Sequence, residues 1–365
     1  MIELVSIKNI RSLEDVNFSF RNLNILSGLN SSGKSTLIGI INLLNQMDNN
    51  RIYLNGEYCN FGTVESLLYK SRFKFGVDGE VTYKFRGKEP ACIKVEDPKK
   101  ESDKKKVSIE NSCYEDLKGL SIRYLSSDRI TPSWTYSIEN SSYDDRNIGP
   151  RGENTVSYIS QVQQSDELSI RELRHASLEG KQGEYKLLQN ITAWLGVISP
   201  GIILSAEHMS DINASKLSFG FSDDSMHSPF SVGFGLTHCL PIITMLLTAK
   251  PGDILVIENP ELNLHPEGQI QIGKLICLAA SNDVQVIVET HSDHIINASR
   301  ISIKKGIISS DSVNISHFYQ EVVGVKMEKR IASQVDKIEL LENGKIKNAP
   351  KGFFDTWEKS LMELI

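Results

Sequence analysis

The chain has 365 residues, 40% of them hydrophobic and 24% charged, with a formal net charge of −6. That length suffices for one large domain or two lobes with a substantial core, and the composition is that of a soluble globular protein. The negative balance gives no global sign of a polyanion binder. The cysteines at 59, 92, 113, 239 and 277 form no C-x-x-C pair, which argues against a zinc or disulfide framework. No apolar run reaches the length of a membrane span, and Met1-Ile2-Glu3-Leu4 opens no signal-peptide core, so the expectation is a cytoplasmic protein without a membrane role.

In chain order, Ile2–Ile7, Val16–Phe20 and Leu23–Ser27 alternate or run apolar as strands do. The third enters Gly28-Leu29-Asn30-Ser31-Ser32-Gly33-Lys34-Ser35-Thr36, a complete G-x-x-x-x-G-K-[ST] phosphate-binding loop. A helix over Thr36–Gln46 follows, with Leu37, Ile40, Ile41 and Leu44 on one face. Strand, glycine turn and helix N-terminus together make an anion site. Backbone N–H groups of Asn30, Ser31, Ser32, Gly33 and Thr36 would cradle phosphates. Lys34 would add a point charge, and Ser35 would ligate Mg²⁺.

Short strands expected at 73–77, 80–85, 91–95 and 106–110 make an antiparallel meander, with the charged run Asp97–Lys106 as an exposed hairpin tip. Residues 120–126 read as a core strand. The polar stretch that follows gives way to a helix over about 168–195, then to a hairpin pair at 202–206 and 217–221. Arg129 could reach a phosphate, an acidic partner or a structural ion pair, and the turn Gly149–Asn154 has no role that spacing alone assigns.

Alternating order returns with strand Asp253–Glu258, helix Pro266–Ala280, strand Val284–Glu289 and helix Asp293–Ser302, followed by strands near 313–319 and 324–331. Near-continuous aliphatic strands alternating with helices imply a mostly parallel, doubly covered sheet. The first of these strands delivers Glu258 at its C-terminal end, where ligands sit in open α/β sheets. Behind it comes Asn259-Pro260-Glu261-Leu262-Asn263-Leu264-His265-Pro266. The next strand ends in Glu289-Thr290-His291-Ser292.

These three segments resemble the ABC-type ATPases of the SMC, RecF and OLD group, also counted among AAA-family ATPases and including accessory ATPases of anti-phage defence systems. The likeness runs from residue 2 to about 333. It implies an α/β P-loop fold of ABC/SMC type: a mixed, mostly parallel sheet covered by helices, an antiparallel β meander, and a partly helical insertion. The implied division is 1–126 as an N-terminal ATPase lobe, 127–230 as the insertion, 231–333 as a C-terminal lobe, and 334–365 as a tail. By resemblance Gly28–Thr36 match Walker A, Glu258 the Walker B carboxylate and Mg²⁺ ligand, and His291 the switch histidine. Arg11 becomes a nucleotide contact. Ser231, Gly233 and Gly235 stand where the signature binds the γ-phosphate held by a second subunit.

The resemblance further implies ATP and Mg²⁺ as ligands, and a homodimer or higher even oligomer built through shared ATP sites. One departure stands out. Efficient hydrolysers carry a second acid after the Walker B carboxylate, and here that position is Asn259. A neutral amide positions water but takes no proton as a carboxylate does. Two readings follow: slow hydrolysis by a long-lived ATP-dependent clamp, which is the expectation, or Glu261, helped by His265 or His291, taking over the polarising role. The function expected is an ATP-controlled switch for a protein effector from the same operon, in anti-phage defence or DNA maintenance. The alternatives are a RecF-like DNA-binding repair ATPase and a non-hydrolysing ATP-dependent scaffold. The thirty-odd residues after the core show no D-x-D or H-N-H nuclease chemistry, and no heptads indicate a coiled-coil arm.

Overall fold

In the computed structural model the described residues are 1–48, 51–68, 77–96, 107–110, 117, 119–138, 146–162, 167–221, 225–323, 330–348, 353 and 362–363. The expected hairpin tip 97–106, most of the strand at 73–77, residues 324–329 of the last strand and the aromatic cluster 354–357 lie outside them. Two compact units result, Met1–Ile122 with Ser310–Ile365, and Arg123–Ser309.

The first unit contains β1 (Ile2–Ile10), β2 (Leu13–Ser19) and β3 (Leu23–Gly28). The small hairpin β4 (Met47–Asp48) and β5 (Arg51–Ile52) follows the first helix. The expected meander is present as β6 (Gly79–Phe85), β7 (Ala91–Val95) and β8 (Val107–Glu110). It joins β2 and β1 in an antiparallel sheet of order β2-β1-β6-β7-β8. Alternate residues of β6 are buried, as one-sided burial of a sheet requires. The Tyr83 hydroxyl spends its polarity on the Ile40 carbonyl, 2.7 Å away, inside the core.

The second unit begins within β9 (Ile122–Leu125) and carries β10 (Tyr136–Ser137), β11 (Ile203–Met209), β12 (Ala214–Gly220) and β13 (Met226–His227) as a small antiparallel sheet. Its parallel pair is β14 (Ile254–Glu258) and β15 (Gln285–Glu289), matched residue for residue from Ile254↔Gln285 to Glu258↔Glu289. Helices Phe234–Leu247, Pro266–Ser281 and Asp293–Lys304 belong to the same unit. Back in the first unit, β16 (Val313–Val323) pairs in parallel with β3 and antiparallel with β17 (Arg330–Ile338). The fold is α/β with a mixed parallel core and an antiparallel meander, as expected.

The helix expected over 168–195 is shorter than its apolar spacing suggests. Only Leu187–Ile198 is α-helical, preceded by single 3₁₀ turns at Arg171–Leu173 and Ala176–Leu178. Gly180 and Gly183 take positive φ (70° and 77°), which breaks the run. The buried Asn190 amide ties the turn down, donating to the Glu184 and Lys186 carbonyls and accepting from the His175 N–H.

Candidate functional site

The phosphate loop occupies the β3-to-helix junction of the first unit, and its glycines are there for steric reasons. Gly28 has φ 129°, and a Cβ on it would lie 2.0 Å from the Phe318 carbonyl oxygen of β16. Gly33 has φ 106° and caps helix Lys34–Asn42, whose N-terminus no side chain satisfies. Lys34 is 3% exposed, and its Nζ donates to the carbonyls of Gly28 (2.9 Å) and Leu29 (2.8 Å), so the ammonium is held at the loop itself. Ser32 Oγ donates to the Leu29 carbonyl at 2.6 Å. Asn30, Ser31 and Ser35 are exposed, while Thr36 is buried. Helix N–H groups, an ammonium and an exposed hydroxyl form a donor set suited to phosphate oxygens and to a hard cation.

β16 buttresses this loop in a way the sequence did not reveal. Its register puts His317 beside Ser27 and Phe318 beside Gly28, and Gln320 Nε2 donates to the Ser31 carbonyl at 2.8 Å. Burial holds the His317 imidazole below its usual range; Asp336 opposes this and Lys34 adds to it. Arg11, expected at the nucleotide, lies with its guanidinium 4.7 Å from the Phe61 ring centre, and Phe61 in turn closes on the helix at Gly39.

In the second unit the carboxylate segment is wired from several directions. Glu258 Oε1 accepts from the Tyr124 hydroxyl (3.0 Å) and Oε2 from the Ser127 N–H (3.2 Å). Arg129, 1% exposed, donates through Nη1 to the carbonyls of Glu258 (2.7 Å) and Ser126 (2.9 Å), and through Nη2 to the carbonyl of Asn259 (2.7 Å). The sequence offered Arg129 a phosphate, an acidic partner or a structural ion pair; its hydrogen bonds are instead a fork on main-chain oxygens. Burial pushes its pKa down to about 10, so it stays charged at neutral pH. The loop bearing Ser127 and Arg129 is itself pinned by the Gly149–Asn154 turn: Ser126 N–H donates to the Pro150 carbonyl (2.8 Å) and Ile130 N–H to that of Arg151 (3.0 Å). A helical close approach completes this packing, since a Cβ on Gly152 would come within 2.6 Å of Pro241.

Asn259 sits in the left-handed region (φ 42°), which asparagine tolerates better than most residues, and its N–H donates to the Glu289 carbonyl. Glu261 is buried, with Oε2 accepting from the Thr290 hydroxyl and Oε1 from the His291 N–H, both at 2.8 Å. Both of its oxygens are engaged in shaping the Thr290–Ser292 turn, while the His291 residue is exposed. His265 caps helix Pro266–Ser281, its Nδ1 accepting from the Glu267 N–H. Gly235 opens the first turn of helix Phe234–Leu247, and a Cβ there would meet the Asn263 carbonyl at 2.3 Å. Gly233 caps that helix, and Ser231 is exposed just before it. The second unit thus gathers Glu258, Asn259, Glu261, His291 and the Ser231–Gly235 turn, and the first gathers Asn30–Thr36.

His238 lies one helical turn beyond Phe234, ring centres 5.5 Å apart, and is 6% exposed. Burial first, then Arg129, push its pKa down to about 4, against Asp128 and the Ser127 backbone. An imidazole near 6.5 in the unfolded chain and near 4 when folded binds its proton first in the unfolded state. Stability is therefore expected to fall as pH drops from about 6.5 toward 4, by at most about 1.4 kcal/mol per pH unit for this one group. Urea midpoints of wild type and His238→Asn across that range check it. A smaller acid loss in the variant is the expected result, and parallel curves would exclude this role.

Among the described residues no cluster of three His, Cys, Asp or Glu side chains could hold a metal. In the first unit the Ser35 hydroxyl is exposed, and in the second the Glu258 carboxylate is half-buried; each by itself is a hard-oxygen donor of the kind that Mg²⁺ takes while keeping waters. Nor is any helix, among the described residues, long and apolar enough to cross a membrane.

The family model described as "AAA domain, putative AbiEii toxin, Type IV TA system" matches residues 23–297. A second, of a protein family of unknown function, matches residues 308–364. No curated protein matches the chain in sequence. Among solved structures, an Smc head bound to the C-terminal winged-helix domain of ScpA is similar at TM-score 0.55 and 14% identity, over 93% of this chain and 98% of that one. An Smc head domain with an extended coiled coil, bound to the C-terminal domain of ScpA derived from Pyrococcus furiosus, is similar at TM-score 0.53 and 12% identity, over 100% and 99%. At such identities these likenesses speak for the fold.

Proposed function

The chain belongs to the AAA-domain family matched over residues 23–297, as a P-loop ATPase of ABC/SMC-like fold, and from that premise we propose that it is a slow, ATP-controlled switch acting on a partner protein. The observation that carries this reading is the phosphate loop: a left-handed Gly33 opening an uncapped helix, with the Lys34 ammonium held at the loop carbonyls. Asn30–Thr36 bind the ATP phosphates with Ser35 as a Mg²⁺ ligand, the ion neutralising charge on those phosphates when bound, and Glu258 is the second unit's own candidate Mg²⁺ ligand. Glu258 is held in one orientation by Tyr124 and Ser127. Glu261 positions the His291 turn through its two hydrogen bonds, and His291 is the candidate switch histidine.

Asn259 is the brake in this account. The residue after Glu258 orients the attacking water without accepting its proton, so hydrolysis to ADP and phosphate is slow and the ATP-bound form long-lived. Ser231, Gly233 and Gly235 engage the nucleotide of a second copy, which makes ATP the link within a dimer. Support for a protein reader comes from the Smc heads, which are solved bound to ScpA. The description of the matched family names a toxin–antitoxin system, which supports an effector encoded alongside. Asn259→Glu is expected to raise ATP turnover about tenfold or more, despite some strain at its positive φ. Phosphate release from wild type, Asn259→Glu and Asn259→Asp decides the point. ATP binding with no turnover in any of the three would favour the second reading, a non-hydrolysing scaffold, which the amide at 259 also suits.

A further inference from the structure

In the second unit, β11 ends its sheet. It pairs with β12 over seven consecutive residues, Ile203↔Gly220 to Met209↔Ala214, without a bulge, and among the described residues no strand pairs with its other edge. Natural edges are usually blunted by proline, lysine, bulges or a covering segment. β17 shows such cover, its Ser333 N–H donating to the Ser12 carbonyl. β11 has neither proline nor lysine, and its one acid, Glu207, leans toward Ser205 of its own strand at 3.2 Å. The strand ends present apolar surface instead: Ile203 is 46% exposed, Met209 36%, and Ile212 in the following turn 58%.

We propose that this edge pairs antiparallel with β11 of a second copy across a two-fold axis at Ala206, joining two small sheets into one. The sequence of the strand selects a copy of itself as the occupant. Centred on Ala206, Ile203 falls opposite Met209 of the second copy, and Ser205 opposite Glu207. Each match occurs twice by symmetry. Apolar meets apolar at both ends, and the lone carboxylate meets a hydroxyl donor rather than its own like charge. A shift of the axis to Ser205 or Glu207 would face Ser205 with itself or set Glu207 carboxylates against each other, which like charges opposite one another disfavour. A seven-residue ladder makes a small interface, so the association is a reversible monomer–dimer equilibrium. It uses none of the residues assigned to ATP and does not depend on that reading.

The test is sedimentation velocity of the full chain without nucleotide, over a wide concentration range, for wild type, Ser205→Glu and Ser205→Lys. Position 205 pairs with Ser218 within its own sheet, and thermal melts of both variants check that the fold is kept. Wild type is expected to dimerise with concentration. Ser205→Glu places two carboxylate pairs face to face and weakens the dimer about tenfold, whereas Ser205→Lys pairs with Glu207 of the second copy and tightens it. A wild type that stays monomeric throughout, or two variants that shift alike, would overturn the proposal.

Discussion

Replacing Arg129 with alanine is expected to cost the fold about 3–5 kcal/mol, and to reduce ATP turnover even where the protein remains folded. The guanidinium is almost wholly buried and donates to three main-chain carbonyls. Alanine leaves those oxygens without their donor, inside a cavity the size of the lost side chain. Two of the carbonyls belong to Glu258 and Asn259, so the turn that aims the carboxylate loses its anchor as well. Lysine is not a substitute, because one ammonium cannot span the fork geometry that planar Nη1 and Nη2 provide. Arg129→Lys is expected to recover less than half of the loss. Urea unfolding of both variants measures this, and a change under about 1 kcal/mol in Arg129→Ala would show that the carbonyls find other partners.

The second large effect concerns binding. Lys34→Ala should weaken ATP affinity a hundredfold or more, since a charge-assisted contact to phosphate is lost from a site that the loop carbonyls preorganise. Stability should change little by comparison, because the Gly28 and Leu29 carbonyls stay at the rim of an exposed loop in which Leu29 is 72% exposed. Equilibrium titration with labelled ATP separates the two consequences. An affinity within about threefold of wild type would place the phosphates elsewhere.

Much of this was legible in the chain. The strands β14 and β15 are near-continuous aliphatic runs buried on both faces, and such runs announce themselves without an alternation to decode. The phosphate loop was readable because each of its residue types answers a local need, as the positive φ of Gly28 and Gly33 shows. The stretch 171–186 misled because leucine spacing mimics a helix face while two glycines bend the backbone away from one. What holds the carboxylate was not legible at all. Arg129 contacts backbone oxygens 129 and 130 positions away, and a main-chain acceptor leaves no mark on the sequence. Glu261 was readable as an acid near the crevice, but not as the staple of the Thr290–His291 turn, because that depends on where the next strand ends.

The central claim, that this chain binds ATP and hydrolyses it slowly, is tested most directly by single-turnover conversion of labelled ATP by excess wild-type protein with Mg²⁺. The prediction is near-stoichiometric capture of ATP, followed by slow, complete appearance of ADP and phosphate. No retained nucleotide at any protein concentration would contradict the account.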